Sequence, residues 1–142
     1  MDRSTDRLPP FCVTHTNARN LRLLARMEIG AELATELEAL YRKLDRSAVI
    51  DDDLVPRGVV TLGSHVVYYD PSRETEHRVW LVYPWSSAPY AGRLSVASPL
   101  GTALLGSRIC MTLRYPAARE SERMSRVDVL DVTYQPEAAK RC

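Results

Sequence analysis

A chain of 142 residues, 45% hydrophobic and 26% charged, carries apolar material for one modest core and fits a single domain with a small extension. Its net charge of +1 leaves no basic excess that would make nucleic acid the main partner. No apolar run approaches the roughly 20 residues of a membrane span. Residues 1–10 also lack the apolar stretch of a secretory signal, so a cytoplasmic location is expected.

Residues 1–13 read as a tail: a polar stretch ending in two prolines, then Phe11-Cys12-Val13 as a short strand or apolar anchor. Residues 14–50 read as a short antiparallel helical hairpin. Thr14 and Thr16 are the candidate N-caps of a first helix over about 17–27, which Gly30 breaks. A second helix over about 31–45 places Leu33, Leu37, Leu40 and Leu44 at the 4-3-4 spacing of a coiled-coil seam. Glu38 and Arg42 stand in favourable i,i+4 order on its surface. The short connection at Ile29-Gly30 favours antiparallel neighbours, and the seam is also a candidate interface for a homo-oligomer. Asp51-Asp52-Asp53 and Pro56-Arg57-Gly58 mark 51–58 as a solvated, turn-rich linker.

Over 59–139 the apolar period changes to two. Segments 59–62 and 65–70 read as strands paired around Gly63-Ser64. Segment 78–83 sets Val79, Leu81 and Tyr83 against Trp80 and Val82, so a strand covered on both faces is expected. Segments 94–96, 108–115 and 126–134 follow as strands, the last apolar on both faces and therefore expected inside the sheet. The expected class is α+β: a short helical hairpin, then an antiparallel sheet domain with one short helix.

That short helix is the most strongly punctuated element. Ser98 is a cap, Pro99 occupies the first helical position where its missing N–H is harmless, and Gly106 follows where a left-handed residue is wanted. The surrounding run, Leu94-Ser95-Val96-Ala97-Ser98-Pro99-Leu100-Gly101-Thr102-Ala103-Leu104-Leu105-Gly106, resembles the C-terminal domain of the Gre transcription factor family. Val59-Val60-Thr61-Leu62-Gly63-Ser64-His65-Val66 looks like that family's opening strands. Leu81-Val82-Tyr83-Pro84 and Val132-Thr133-Tyr134-Gln135-Pro136-Glu137-Ala138-Ala139 resemble its short-armed Rnk branch.

The resemblance implies an FKBP-like sheet domain and binding to RNA polymerase at the rim of its secondary channel. Nucleic acid would then be engaged only through the polymerase. Carried onto this sequence, the polymerase contact falls on Ala97, Ser98, Pro99 and Leu100. Ala97 stands where the family often has a polar or acidic residue, which removes one polar contact. Long-armed members use an acidic pair at the hairpin tip to hold a catalytic metal ion for transcript cleavage. The counterparts here are Glu28 and Glu32, four apart around Gly30. Arms of ~11 and ~15 residues reach only about 16–22 Å, and the pair departs from the usual Asp-x-x-Glu order, so solubilising the tip is its expected role. The resemblance thus implies a regulator that competes for the channel without stimulating cleavage. Two alternatives remain open at this point: a cleavage factor using Glu28 and Glu32, and an FKBP-like peptidyl-prolyl isomerase. A single Phe and the loop position of Trp85 argue against the isomerase.

The remaining chemistry is sparse. Trp85 and Tyr90 are either interface anchors or covers for the sheet edge. His15, His65 and His77 have no partner at ligand spacing, so neither metal nor cofactor is expected. Ser95 and Ser98 lie in no nucleophile elbow. Cys12, Cys110 and Cys142 are widely spaced and odd in number, as free thiols would be, with Cys110 expected buried in a strand.

Overall fold

The computed structural model describes residues 11–27, 29–117 and 122–141. Strand β1 (Cys12–Thr14) runs directly into helix α1 (His15–Leu23), because Thr14 leaves extended backbone as a cap whose Oγ1 accepts the Asn17 N–H. A turn of 3-10 helix, Leu24–Arg26, finishes the helix. Helix α2 (Ala31–Arg46) follows Gly30, and strand β2 (Ala48–Ile50) then pairs in parallel with β1.

The leucine seam of α2 has a different partner from the one its spacing suggests. Leu37, Leu40 and Leu44 are at most 2% exposed. They share one core with Leu21 and Leu24 and with Val60, Val66, Leu81 and Val127 of the sheet region. An apolar heptad identifies a face that must be buried, not what buries it. Because the face is consumed within the chain, the expectation of a homo-oligomer through this seam is corrected.

Residues 51–58 are mostly exposed, as a solvated linker would be, but they are also fastened to the fold. A 3-10 turn, Asp52–Leu54, leads to Val55, which is 1% exposed. The Asp52 carboxylate accepts the Thr16 N–H at 3.1 Å and so serves as a second cap on α1. Burial works against that carboxylate, but the hydrogen bonds from Thr16 together with the charges of His15 and Lys140 hold its pKa below the ordinary value. From the other end of the chain, the Arg141 guanidinium donates to the carbonyls of Asp52, Asp53 and Val55.

The main sheet has the order β5-β4-β3-β7-β6, with β3 (His65–Asp70), β4 (Thr75–Val82), β5 (Arg93–Ser95), β6 (Thr112–Pro116) and β7 (Met124–Tyr134). Three of its ladders are antiparallel, but β5 lies parallel to β4. The sheet is therefore mixed, where an antiparallel one was expected. Two short 3-10 turns, Pro84–Ser86 and Pro89–Ala91, and a left-handed Gly92 carry the chain back to start β5 beside β4. Register shifts between β3 and β7 curl the sheet.

Other sequence expectations need correcting as well. Segment 59–62 does not pair with β3. Instead Val60 bonds to Gly106 and Ser107, and residues 61–64 form a turn that Ser64 closes by accepting the Thr61 N–H. Only one face of β4 is covered, since Trp80 is 39% exposed. Cys110 is exposed in a turn with φ of 75°, not buried in a strand. The tail after β7 forms helix α4 (Pro136–Lys140). As expected, β7 lies inside the sheet.

A candidate docking turn

Helix α3 (Pro99–Leu104) follows β5 through a turn in which nearly every polar group is satisfied locally. Ser98 Oγ accepts the Gly101 N–H at 3.0 Å and donates to the Ser95 carbonyl at 2.7 Å. Ser95 Oγ accepts the Ala97 N–H, and Thr102 Oγ1 donates to the Val96 carbonyl. Gly101 is required by contact: a Cβ there would fall onto the Ser95 carbonyl oxygen. Gly106 has φ of 79° and is pinned on both sides, its N–H donating to Val60 and its carbonyl accepting from Cys12.

The far end of α3 is capped from α2. Lys43 Nζ donates to the carbonyls of Thr102 and Ala103 at 2.5 and 2.7 Å, with the Phe11 ring 4.1 Å away. A cation suits the negative end of a helix, yet burial of the ammonium pushes its pKa down to about 7. Nothing in the sequence singles out this lysine, since it lies on a helix face that also carries Arg42 and Arg46.

Within the turn the residues differ in reach. Ala97 is 3% exposed and supports the turn from beneath, whereas Ser98, Pro99 and Leu100 are half-buried. One cleft brings Ser98 together with Trp85, with Leu33 and Glu36 of α2 on its other side. Trp85 is 65% exposed and stacks on Tyr83 at 4.9 Å, and the Tyr83 hydroxyl accepts from Asn20 Nδ2. Tyr90 is 95% exposed and is not part of that cleft. Glu32 is exposed in the first turn of α2, while Glu28 lies outside the described residues. Among the described residues no group of three His, Cys, Asp or Glu could hold a metal ion, and no helix is long and apolar enough to cross a membrane.

Sequence reading missed a second pin. Gln135 is 3% exposed; its Nε2 donates to the carbonyls of Pro56 and Val59, and its Oε1 accepts the Ala138 N–H. It stands before Pro136 as Ser98 stands before Pro99. That cap-then-proline pattern was the available signal, obscured because Gln is an uncommon cap.

A curled mixed sheet carrying a proline-started, side-chain-pinned helical turn packs with a helical N-terminal layer. The family model described as "Transcription elongation factor, GreA/GreB, C-term" matches residues 55–134. The chain belongs to the GreA/GreB family. It is 32% identical to the regulator of nucleoside diphosphate kinase of Escherichia coli over 132 residues, which cover 92% of this chain and 94% of that one. It is 38% identical to the elongation factor GreA of Chloroflexus aurantiacus over 78 residues, 55% of this chain and 50% of that one. Among solved structures, a GreA/GreB elongation factor from Nitrosomonas europaea superimposes with a TM-score of 0.67 at 27% identity, covering 89% of this chain and 99% of that one.

Proposed function

We propose that this protein is a non-enzymatic, cytoplasmic regulator of transcription that docks on RNA polymerase at the rim of the secondary channel. The sheet domain, FKBP-like in outline, presents Ser98, Pro99 and Leu100 to the polymerase, while Ala97 sets their position. The α1–α2 hairpin stands at the channel entrance and excludes longer factors. Nucleic acid is met only through the polymerase. One observation carries the reading. The turn is held by its own side chains, so little conformational freedom is lost on docking.

The same reading assigns no stimulation of transcript cleavage. A helix of 16 residues is only about 24 Å long, and much of α2 is committed to the core through Leu37, Leu40 and Leu44. That leaves little of it to project, and Glu32 near its start has a short reach.

The test is capture of core RNA polymerase by the protein, repeated with Pro99→Asp and with a Gre factor as competitor. Binding that weakens in Pro99→Asp and is displaced by the competitor is expected. Failure of the wild type to bind at micromolar concentration overturns the reading. Cleavage of backtracked transcripts above background on adding the wild type would restore the cleavage-factor alternative.

A further inference from the structure

A groove of about 390 Å³ separates α2 from β6, the outer edge strand of the sheet, with α3 beneath it. Its lining holds Arg42, Lys43, Arg46 and Arg114 and no carboxylate. Lys43 is already spent on α3. Arg42, Arg46 and Arg114 are exposed and have no ion-pair partner among the described residues. Elsewhere on the surface Arg22 meets Asp45, and Arg126 meets Asp128.

Like charges also face one another here, although Glu38 stands one turn before Arg42 and Asp128 pairs with Arg126. Arg42 and Arg46 lie one helical turn apart, where like charges repel. Arg114 stands directly opposite Arg126 in the β6–β7 ladder, an arrangement that disfavours like charges. An anion bound in the groove relieves the first of these repulsions.

The groove floor selects among anions. Ala39, Pro99, Thr102 and Pro116 line it and also line a smaller adjoining hollow of about 170 Å³, where Glu36 adds one carboxylate, so the acidic groups of a ligand belong at the arginine end. Together the two run beside α2 from Thr35 to Arg46, about 17 Å at ~1.5 Å per residue, the length of roughly five extended residues. The carbonyls of Thr102 and Ala103, at the negative end of α3, are part of the wall. Lys43 takes up both carbonyls, so they do not set one anion against another. An apolar floor with cations spaced along its rim suits carboxylates carried on an apolar chain better than a compact phosphate.

We propose that this groove takes an extended, carboxylate-bearing segment of the polymerase, with apolar side chains on the floor and acidic ones paired to Arg42, Arg46 and Arg114. The partner's identity rests on the docking reading above. Pro99 belongs both to the docking turn and to the groove, so the two form one continuous surface.

Binding of the full chain to core RNA polymerase at low and high salt tests this, using wild type, Arg42→Glu/Arg46→Glu, Arg114→Glu, Pro99→Asp and a distant control, Arg73→Glu/Arg93→Glu. The double groove reversal is expected to weaken binding at low salt by about tenfold or more and to flatten the salt dependence. Arg114→Glu is expected to weaken it by about threefold. Melting temperatures should hold, because all three side chains are exposed. Groove variants within about twofold of wild type, alongside a weakened Pro99→Asp, overturn the groove and leave the docking reading standing. An equal loss in the control also overturns it, since the effect is then one of general charge. No binding by the wild type overturns the docking reading and the partner with it. Micromolar binding of tripolyphosphate, lost in Arg42→Glu/Arg46→Glu, would assign the groove to a phosphate ligand and overturn the segment proposed.

Discussion

The turn over 95–106 and the start of α2 at Gly30 both redirect the chain near a glycine, but they are secured in opposite ways. In the first, Ser95, Ser98 and Thr102 bond to backbone groups within the turn, and Gly101 leaves no room for a Cβ against Ser95. In the second, a Cβ on Gly30 would meet nothing within 4 Å, and α2 begins with no side-chain cap. A pinned turn holds one shape before any partner arrives, whereas an open junction tolerates change. The difference teaches that the proposed docking turn is fixed by its own side chains, whereas Gly30 contributes none.

Gly101→Val attacks the contrast hardest. It should destabilise the fold by roughly 3 kcal/mol or more, because the new side chain meets backbone that cannot yield. A thermal melt close to wild type would show the turn to be soft. Gln135→Leu comes next. Stranding the buried Val59 carbonyl, the part-buried Pro56 carbonyl and the Ala138 N–H should cost about 2–3 kcal/mol, read by urea denaturation. Ser98→Ala removes only the cap and should cost about 1 kcal/mol. Its affinity for polymerase should fall further than that of Glu32→Ala, and equal losses would erase the distinction between turn and tip.

Lys43 offers a gentler probe through pH. Its folded pKa, about 7, lies below the ordinary lysine value near 10.4. Between those values the unfolded chain binds more protons than the native one, so this group's contribution makes stability rise with pH. Below about pH 7 the penalty for burying the ammonium is fully present. Lys43→Met should remove that rise, and identical slopes for the two proteins between pH 7 and 9 would place the ammonium in solvent. The smallest effect belongs to the open junction: Gly30→Ser should change stability by only a few tenths of a kcal/mol, in the favourable direction, by supplying the missing cap.

How far the sequence was legible depends on how local the deciding interaction is. Thr14, Ser98, Pro99 and Gly106 act on backbone within a few residues of themselves, and the structure places each in the role its neighbours predict. The strand segments were legible through their period, but the parallel placement of β5 was not, because it depends on how the 83–92 connection closes. Asp52 looked like one of three solvated carboxylates, yet it accepts the N–H of Thr16, 36 residues earlier, in the first turn of α1. Cys110 looked like a strand residue because its neighbours are apolar, but its backbone enters the left-handed region.

The amino-acid pattern alone determined the two long helices, most of the main strands, the capped Ser98–Pro99 turn and the family, since capping, proline geometry and apolar period are properties of short stretches of chain. Tertiary structure alone decided that the leucine face of α2 closes onto the sheet, that Lys43 and Gln135 act as distant clasps, and that Arg42, Arg46 and Arg114 converge on one groove. Those outcomes depend on which surfaces meet, and residues on α2 and β6, some 70 positions apart, share no local signal that would announce the meeting.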